Sequence, residues 1–232
     1  IKTKEMELDS LPLTIRTEFP EWLVEKVQAK MSDMNILALG LSFQKQASLD
    51  LRVNTLIANR NDVLTRLSTD GIGASATSYS PIGIRLVRKL TIQSHEMFIT
   101  GNIEIQDEGS QLLGYLLQPK RGEIVVDFCA GAGGKALMMG ALMGSKGRIY
   151  AFDVSERRLN RLKPRLKRSG LSNLFPRWIS NENDVKVKRL AGKVDRVIVD
   201  APCSGLGTLR RNPDIKLRQT PESIEEARRG QE

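Results

Sequence analysis

Two side chains in the segment VIVDAPCSGLGTLRRNPD, residues 197–214, have the types and spacing needed for chemistry on a base. Asp200 follows an apolar run of strand length, and Cys203 follows shortly after it. A thiol beside a carboxylate, with Arg210 and Arg211 nearby, is a place where a reactive thiolate can form. Hydride transfer has no use for this pair, but carbon methylation of a pyrimidine does. C5 of cytosine becomes nucleophilic once a thiolate adds to C6, and a hydrogen-bonding group must offset the charge that develops.

A glycine-rich turn in VVDFCAGAGGKAL, residues 125–137, is the second candidate motif. A phosphate-binding P-loop is excluded, because Cys129 stands where its first glycine belongs and Ala136 where its Mg²⁺-binding hydroxyl belongs. The turn formally fits G-x-G-x-x-A, and Asp153 ends the next strand, where a carboxylate accepts two ribose hydroxyls. This pattern serves NAD and S-adenosylmethionine equally well, so the turn alone leaves both ligands open.

Strand and helix patterns alternate around both motifs. Four apolar runs of strand length, EIVVDFC, GRIYAFDV, LFPRWIS and DRVIVDAP, are separated by helical or polar stretches. The clearest helix is SERRLNRLKPRLKRSG, with Ser155 as its N-cap, Gly170 at its end and a kink expected at Pro164. Such alternation predicts a parallel, doubly wound α/β sheet, in which Asp200 faces whatever the glycine turn binds.

Two further segments precede this sheet. Residues 1–50 contain two helical patterns, FPEWLVEKVQAK with Pro20 in its first turn, and DMNILALGLSFQKQASL. In residues 51–105 we expect strands in LRVNTLI, PIGIRLVRKL and MFITGNIEI, and a helix capped at Asn61 or nearby. This β-α-β-β order predicts a small α+β module of the ferredoxin or RNA-recognition type. The third segment, residues 106–232, contains the parallel sheet.

Composition narrows the possible classes of protein. The two cysteines form neither a CxxC pair nor a disulfide framework, which is typical of the cytoplasm. The single histidine, His95, argues against a His-based metal site or triad. For this reason we expect no metal. No apolar run is long enough to span a bilayer and no signal peptide opens the chain, so we also expect no membrane contact. Because the chain begins with Ile1 rather than Met, we expect a fragment or a trimmed polypeptide.

Positive charge predicts a polyanionic partner. The chain has 36 Lys+Arg against 27 Asp+Glu, a net charge of +9, although residues 1–50 hold 6 basic and 8 acidic residues. Three basic runs, at 157–168, 185–196 and 210–218, follow later in the chain. One run alone would be an ordinary solvated helix face, but three in one region favour nucleic acid. Aromatic residues make up only 5%, so no extensive base-stacking platform is expected.

At these residues the chain resembles the RsmB/NOP/NSUN family of S-adenosylmethionine-dependent RNA cytosine-5 methyltransferases, nearest the bacterial RsmB-like rRNA enzymes. The resemblance runs through FPEWLVEKV, LRVNTL and Asp153, and its most specific stretches are IEIQDEGSQLLGYLLQPKRGEIVVDFCAGAGGK and DRVIVDAPCSGLGTLRRNPD. It implies a Rossmann-like class I methyltransferase sheet, incomplete at the C-terminus, preceded by a small α+β RNA-recognition-like module and a short helical segment.

The resemblance also implies roles for individual residues. Asp200 would bridge the methyl region of the cofactor and a cytosine splayed out of its stack, and Asp153 would bind the ribose. The segment upstream of the sheet would help present RNA, and the basic runs would follow the RNA backbone. The implied RNA contacts are Arg52, Asn54, Arg210 and Arg211. S-adenosylmethionine would be surrounded by Cys129, Ala130, Gly131, Ala132, Gly133, Gly134, Lys135, Asp153, Ser180 and Asp200.

The sequence departs from the family pattern in three places. Ser180 or Asn181 stands where members usually have a cofactor-contacting Asp, for which Asp184 is a substitute, and Ala136 replaces a Thr or Ser. In the family the attacking cysteine usually lies in a Thr-Cys pair on a later strand, while the Pro-Cys cysteine, here Cys203, assists product release. The sequence has no Thr-Cys pair. From the residues alone Cys203 is the only nucleophile. From the resemblance we expect a truncated enzyme without its nucleophile.

Three other functions compete with the enzyme that the resemblance implies. A non-catalytic RNA-binding or assembly factor would keep the same fold, but the intact DAPCSG sequence favours an enzyme. An amino-group methyltransferase would have an Asn/Asp-Pro-Pro-aromatic turn where this chain has DAPC. An NAD oxidoreductase would leave Asp200 and Cys203 without a role. We therefore predict methyl transfer from S-adenosylmethionine to C5 of a cytosine in RNA, in particular rRNA, by a cytoplasmic monomer.

Overall fold

The computed structural model describes residues 10–231, which divide into two compact units. One unit combines residues 10–47 with residues 202–231, and the other spans residues 48–201. The three segments predicted from the sequence, with boundaries after residues 50 and 105, stay a prediction, and the first nine residues lie outside the described range. No helix in the described part of the chain is both long and apolar enough to cross a bilayer.

The first unit is helical. Its helices are α1 (Leu13–Thr17), α2 (Glu21–Gln28), α3 (Asp33–Gln44), α10 (Ile215–Arg218) and α11 (Pro221–Arg229). Both helices predicted in the N-terminal segment are confirmed, and Pro20 is the N-cap of α2. Gly40 has a packing role in α3, because a Cβ there would lie 2.5 Å from Cβ of Thr17. The core of this unit contains Phe19, Leu23, Val24, Ile36 and Leu209.

The second unit begins with a small antiparallel sheet. Its elements are β1 (Leu49–Val53), α4 (Arg60–Thr69), β2 (Ala74–Ala76), β3 (Gly83–Leu86), α5 (Glu96–Ile99) and β4 (Ile103–Ile105). The strands lie in the order β2-β3-β1-β4, and each neighbouring pair is antiparallel. This β-α-β-β-α-β arrangement is that of a ferredoxin-like module, so the predicted α+β class is confirmed.

Two details of the small module were predicted wrongly, and the N-cap of its first helix was predicted to within about two residues. The run MFITGNIEI is not one strand, because α5 ends at Ile99 and only Ile103–Ile105 pair with β1. The strand β2 was missed, since three residues of alanine and serine have no β-branched signal. The N-cap of α4 is Asn59 rather than Asn61, and its side-chain oxygen accepts the Asp62 N–H at 3.0 Å.

A parallel sheet completes the second unit. Its elements are α6 (Glu108–Leu117), β5 (Ile124–Asp127), α7 (Gly134–Leu142), β6 (Arg148–Asp153), α8 (Glu156–Ser169), β7 (Leu174–Trp178), α9 (Val185–Lys188) and β8 (Arg196–Ile198). The order β7-β6-β5-β8, with all pairs parallel, confirms the predicted Rossmann-like fold. Helix α8 begins at its Ser155 cap, continues through Pro164, and ends at Gly170, whose φ is +72°.

The parallel register determines where polar groups meet. The interiors of β5 and β6 are apolar, and Val125, Ile149 and Ala151 are fully buried. Each of these strands then ends in a buried carboxylate, Asp127 in β5 and Asp153 in β6. Because parallel strands end at the same edge of the sheet, this edge collects the groups that are able to bind a ligand.

Candidate active site

A cavity of about 230 Å³ lies at the carboxyl ends of β5 and β8. Asp127 closes β5, Lys135 extends from the first turn of α7, and Asp200 follows β8. The structure therefore brings Asp200 and the glycine turn to one cavity. Its lining residues are Ile105, Gln106, Asp107, Ser110, Asp127, Cys129, Ala130, Gly134, Lys135, Arg165 and Asp200.

The glycine turn is fixed by hydrogen bonds and by its backbone angles. Gly131 and Gly133 have φ of +56° and +76°, in the left-handed region that glycine enters at little cost. The Gly131 N–H donates to Oδ2 of Asp153 at 2.8 Å, so Asp153 anchors the turn. The same carboxylate accepts the Ser155 N–H at 2.7 Å and pairs with Arg158 at 3.0 Å. Its binding to a ribose stays a prediction.

Gly133 is the position in the turn where we expect a side chain to cost the most. A Cβ at Gly133 would lie 2.3 Å from Cδ1 of Leu162, whereas one at Gly131 would meet no atom within 4 Å. We expect Gly133→Ala to lower the free energy of unfolding by about 3 kcal/mol, because backbone strain and overpacking add. Gly131→Ala is the matched control with about 1 kcal/mol, from strain alone. Urea titration measures both, and equal losses would contradict this packing argument.

Asp127 is a functional candidate that sequence reasoning missed. Its side chain is 1% exposed and has no side-chain hydrogen-bond partner among the described residues; its stabilising neighbours are the charge of Lys135 and the backbone N–H of Ala136. Burial raises the pKa of Asp127 to about 7, an effect that Asp200 reinforces and the positive charge of Lys135 opposes. A buried carboxylate without a side-chain hydrogen-bond partner at a cavity is costly to the fold, so it indicates a cationic ligand. The sequence contained one signal that would have identified Asp127, which is its position at the end of a buried strand, like that of Asp153.

Gln106 adds a third acceptor to the same cavity. Gln106 is 8% exposed, and its side-chain oxygen Oε1 has no hydrogen-bond partner among the described residues. Together with the two oxygens of Asp127, the cavity therefore has three buried oxygen atoms that need donors. A primary ammonium group has three N–H donors and a positive charge, and it fits this set.

Asp200 is held at the mouth of the cavity by Lys135. The ammonium of Lys135 donates to Oδ2 of Asp200, with side-chain exposures of 14% and 51% respectively. The carboxylate thus stays half-exposed and has a free oxygen for a ligand that enters from solvent. This arrangement provides a hydrogen-bond acceptor next to the glycine turn.

The two cysteines lie in different environments. Cys129 lines the cavity and is half-buried, and burial, followed by the charge of Asp153, raises the pKa of its thiol. A raised pKa keeps the thiol protonated at neutral pH, which argues against Cys129 as a nucleophile, and its contact with the cofactor stays a prediction. Cys203 is exposed and belongs to the first compact unit. Its catalytic role stays a prediction.

Ser180 is not among the residues that line the cavity. Its N–H and hydroxyl donate to the carboxylate of Asp184 at 3.0 and 3.3 Å. Asp184 is the N-cap of α9 and accepts the Lys186 N–H at 2.9 Å; these backbone hydrogen bonds lower its pKa. The substitute carboxylate considered from the sequence therefore has structural partners already, and cofactor contact by Ser180 stays a prediction.

Arg52 and Asn54 were predicted to contact RNA, but both are buried. Arg52 is 2% exposed, and burial lowers its pKa to about 10. Asn54 is 3% exposed, and its amide donates to the carbonyl oxygens of Gly101 at 3.0 Å and Ser169 at 2.9 Å. The second bond satisfies a carbonyl at the end of α8 that has no partner within the helix. Asn54 thus has a structural role, whereas Nε of Arg52 has no hydrogen-bond partner among the described residues, and RNA contact by either residue stays a prediction.

The basic run of α8 contributes less free positive charge than its sequence suggests. Arg158 pairs with Asp153, and Arg165 and Arg168 both pair with Glu104. Four basic residues of the run remain on the exposed face of the helix: Arg157, Arg161, Lys163 and Lys167. Arg210 and Arg211 are exposed as well, and Nε of Arg210 donates to the Lys45 carbonyl at 3.3 Å.

The fold and the cavity define a class of protein. A parallel sheet whose first strand leads into a glycine turn, with carboxylates at the ends of three strands, is typical of Rossmann-like methyltransferases. A family model described as 16S rRNA methyltransferase RsmB/F matches residues 114–232. A second one, described as the RsmF/B-like ferredoxin-like domain, matches residues 19–93. The chain belongs to the RsmB/F family.

Curated relatives agree with this assignment. The chain is 35% identical to the probable ribosomal RNA small subunit methyltransferase B of Synechocystis over 94% of its own length and 49% of the relative. It is 32% identical to the Bacillus subtilis protein of the same description, over 90% of this chain and 46% of that one. The chain thus spans about half the length of the curated relatives it matches.

Solved structures show the same fold. A methyltransferase homologue from Pyrococcus horikoshii is 28% identical, with a TM-score of 0.77 over 96% of this chain and 68% of that one. The structure of NSun6 from Pyrococcus horikoshii with SFG has a TM-score of 0.82 at 18% identity, over 92% of this chain and 77% of that one. At this identity the second likeness concerns the fold alone.

Proposed function

We propose that this chain binds S-adenosylmethionine at the glycine turn and forms part of an enzyme that methylates C5 of a cytosine in rRNA. The observation that carries the proposal is the shared cavity of Asp127, Lys135 and Asp200 beside the turn. Family membership supports the methyltransferase class, and the descriptions of the relatives, ribosomal RNA small subunit methyltransferase B, support the RNA substrate.

The residues of the cavity fit the methionine end of the cofactor. Asp127 and Gln106 offer three buried oxygens, none with a side-chain hydrogen-bond partner among the described residues, to its ammonium group. At Gly131 the absence of a side chain leaves open space on the turn, where a ligand is able to approach the backbone closely. When bound, S-adenosylmethionine supplies a methyl group on a positively charged sulfur.

Asp200 has the position required to hold the target base. Its carboxylate is half-exposed and is oriented by Lys135, so it is available to accept a hydrogen bond from the exocyclic amine of a cytosine and to share a proton with N3. Such a contact would stabilise the charge that develops when a thiolate adds to C6. Cys203, exposed in the sequence that follows β8, then assists release of the product.

Product analysis tests this proposal. We expect the protein, incubated with small-subunit rRNA and S-adenosylmethionine labelled in its methyl group, to place the label on 5-methylcytidine. Nucleosides obtained by digestion are identified by mass spectrometry. Label on an exocyclic amine would overturn the C5 assignment. If every form of the protein that contains this chain bound RNA but transferred no methyl group, the result would instead favour the non-catalytic assembly factor.

A further inference from the structure

The small module is connected to the glycine turn by hydrogen bonds that begin at the carboxylate of Glu104. Glu104 lies in β4, opposite Arg52 of β1, and its side chain is only 4% exposed. Arg165 of α8 donates from Nε and Nη2 to Oε2 of Glu104, at 3.1 and 2.9 Å. Arg168 bonds the other oxygen, Oε1. A strand of the module and a helix of the parallel sheet are thus joined by two arginines that together bond both oxygens of one buried carboxylate.

The same arginine also holds the turn. Nη1 of Arg165 donates to the carbonyl oxygen of Ala132 at 2.6 Å, so all three of its nitrogens are used. One turn earlier on α8, Leu162 packs against Gly133 so closely that a Cβ there would lie 2.3 Å away. The helix therefore contacts the glycine turn at two points, one apolar and one polar.

The end of α8 is docked on the small module by backbone contacts. Gly101, which precedes β4, approaches the Arg168 carbonyl so closely that a Cβ would lie 2.0 Å from its oxygen. Asn54 bridges the carbonyls of Gly101 and Ser169 with a single amide. These contacts fix α8 against the module, and hence fix the position from which Arg165 reaches Ala132.

We propose that Glu104 and Arg165 are positioning residues for the cofactor: the small module, through Glu104, holds Arg165 in the orientation that fixes the Ala132 carbonyl and thereby the glycine turn. This inference rests on the proposed function, because it takes the turn to be the cofactor site. It assigns to the small module a role in cofactor binding, in addition to the presentation of RNA.

Arg165 and Arg168 form a matched pair for the test. Both side chains are 18% exposed and both pair with Glu104, but only Arg165 is bonded to the turn. We expect Arg165→Gln to weaken binding of S-adenosylmethionine at least tenfold by calorimetry, while Arg168→Gln changes it less than twofold. Arg165→Lys keeps the charge beside Glu104 but loses the planar fork, so we expect it to weaken binding as well.

Hydrogen exchange of the ligand-free protein separates this inference from the proposed function. The N–H groups of Gly131 and Gly133 are bonded to Asp153 and to the Ala130 carbonyl. We expect their exchange to become at least tenfold faster in Arg165→Gln and Arg165→Lys, and to stay unchanged in Arg168→Gln. Unchanged exchange and binding in the Arg165 variants, or equal losses in Arg168→Gln, would overturn the inference. Failure of the parent protein to bind S-adenosylmethionine, with faster exchange in the Arg165 variants, would overturn the proposed function alone.

Discussion

We expect the Asp127→Asn variant to be more stable than the parent protein at pH 8 and to bind S-adenosylmethionine at least a hundredfold more weakly. The carboxylate is 1% exposed, and its pKa is raised to about 7 by burial. Above this pH the free protein carries a buried negative charge without a side-chain hydrogen-bond partner among the described residues. An amide of the same shape removes that charge, and it also removes the group that would pair with the cofactor's ammonium.

The pH dependence gives the sign of the stability effect. In the unfolded chain an Asp titrates near pH 4, so a folded pKa of about 7 favours folding only while the group is protonated. Its contribution is complete below about pH 4 and is lost as pH rises through 7. The difference of about 3 pKa units corresponds to roughly 4 kcal/mol at pH 8. About two of these three units lie above pH 5, so we expect the contribution of this group to differ by about 3 kcal/mol between denaturant titrations of the ligand-free proteins at pH 5 and at pH 8.

Asp195→Asn provides the control for Asp127→Asn. Asp195 is exposed and accepts the Ile124 N–H at 2.8 Å at the start of the same strand. We expect this substitution to leave both cofactor affinity and the pH dependence of stability unchanged.

In the parent protein, cofactor affinity should fall about tenfold for each pH unit below 7, because the carboxylate of Asp127 becomes protonated. An Asp127→Asn variant that binds as tightly as the parent would refute the ammonium site.

The sequence predicted the fold where local and long-range signals agree. The runs around Val125 and Ile149 are β-branched, apolar and followed by glycine or helix signals, and both became parallel strands. Helix α8 has an N-cap, an apolar stripe and a terminal glycine, and its bounds were predicted closely. The prediction failed at β2 and α5, because elements of three and four residues are stabilised by the neighbouring sheet rather than by their own composition.

The candidate site was predictable in its position but not in its electrostatics. The glycine turn and Asp200 were found because three glycines in one turn, and a carboxylate followed by a cysteine and two arginines, form recognisable motifs after apolar runs. Asp127 was missed, because in the sequence it resembles any other polar residue at the end of a strand. Its raised pKa follows from its burial, which only the structure shows. The pairing of Arg165 and Arg168 with Glu104 was also invisible, since 61 to 64 positions separate the partners. A charge count along the chain therefore overstated the basic surface.

The second large effect is expected at Asp200. In a form of the protein that methylates RNA, Asp200→Asn should lower the rate of methyl transfer by a factor on the order of 10² to 10³, because an amide does not share a proton with N3 to offset the negative charge that develops on the base. Its affinity for S-adenosylmethionine should change less than threefold, since the carboxylate is half-exposed and its only observed partner in the second unit is Lys135.

Asp214→Asn is the matched control for this variant. Asp214 is also an exposed, ion-paired carboxylate, bonded to Arg218 in the chain that follows β8. Its replacement should leave both the rate and the affinity within twofold of the parent. Single-turnover assays with labelled cofactor give the rate, and calorimetry gives the affinity. If Asp200→Asn transferred methyl groups at a rate within tenfold of the parent, Asp200 would not be the group that holds the base. The cavity would then bind the cofactor without contributing the acceptor for catalysis.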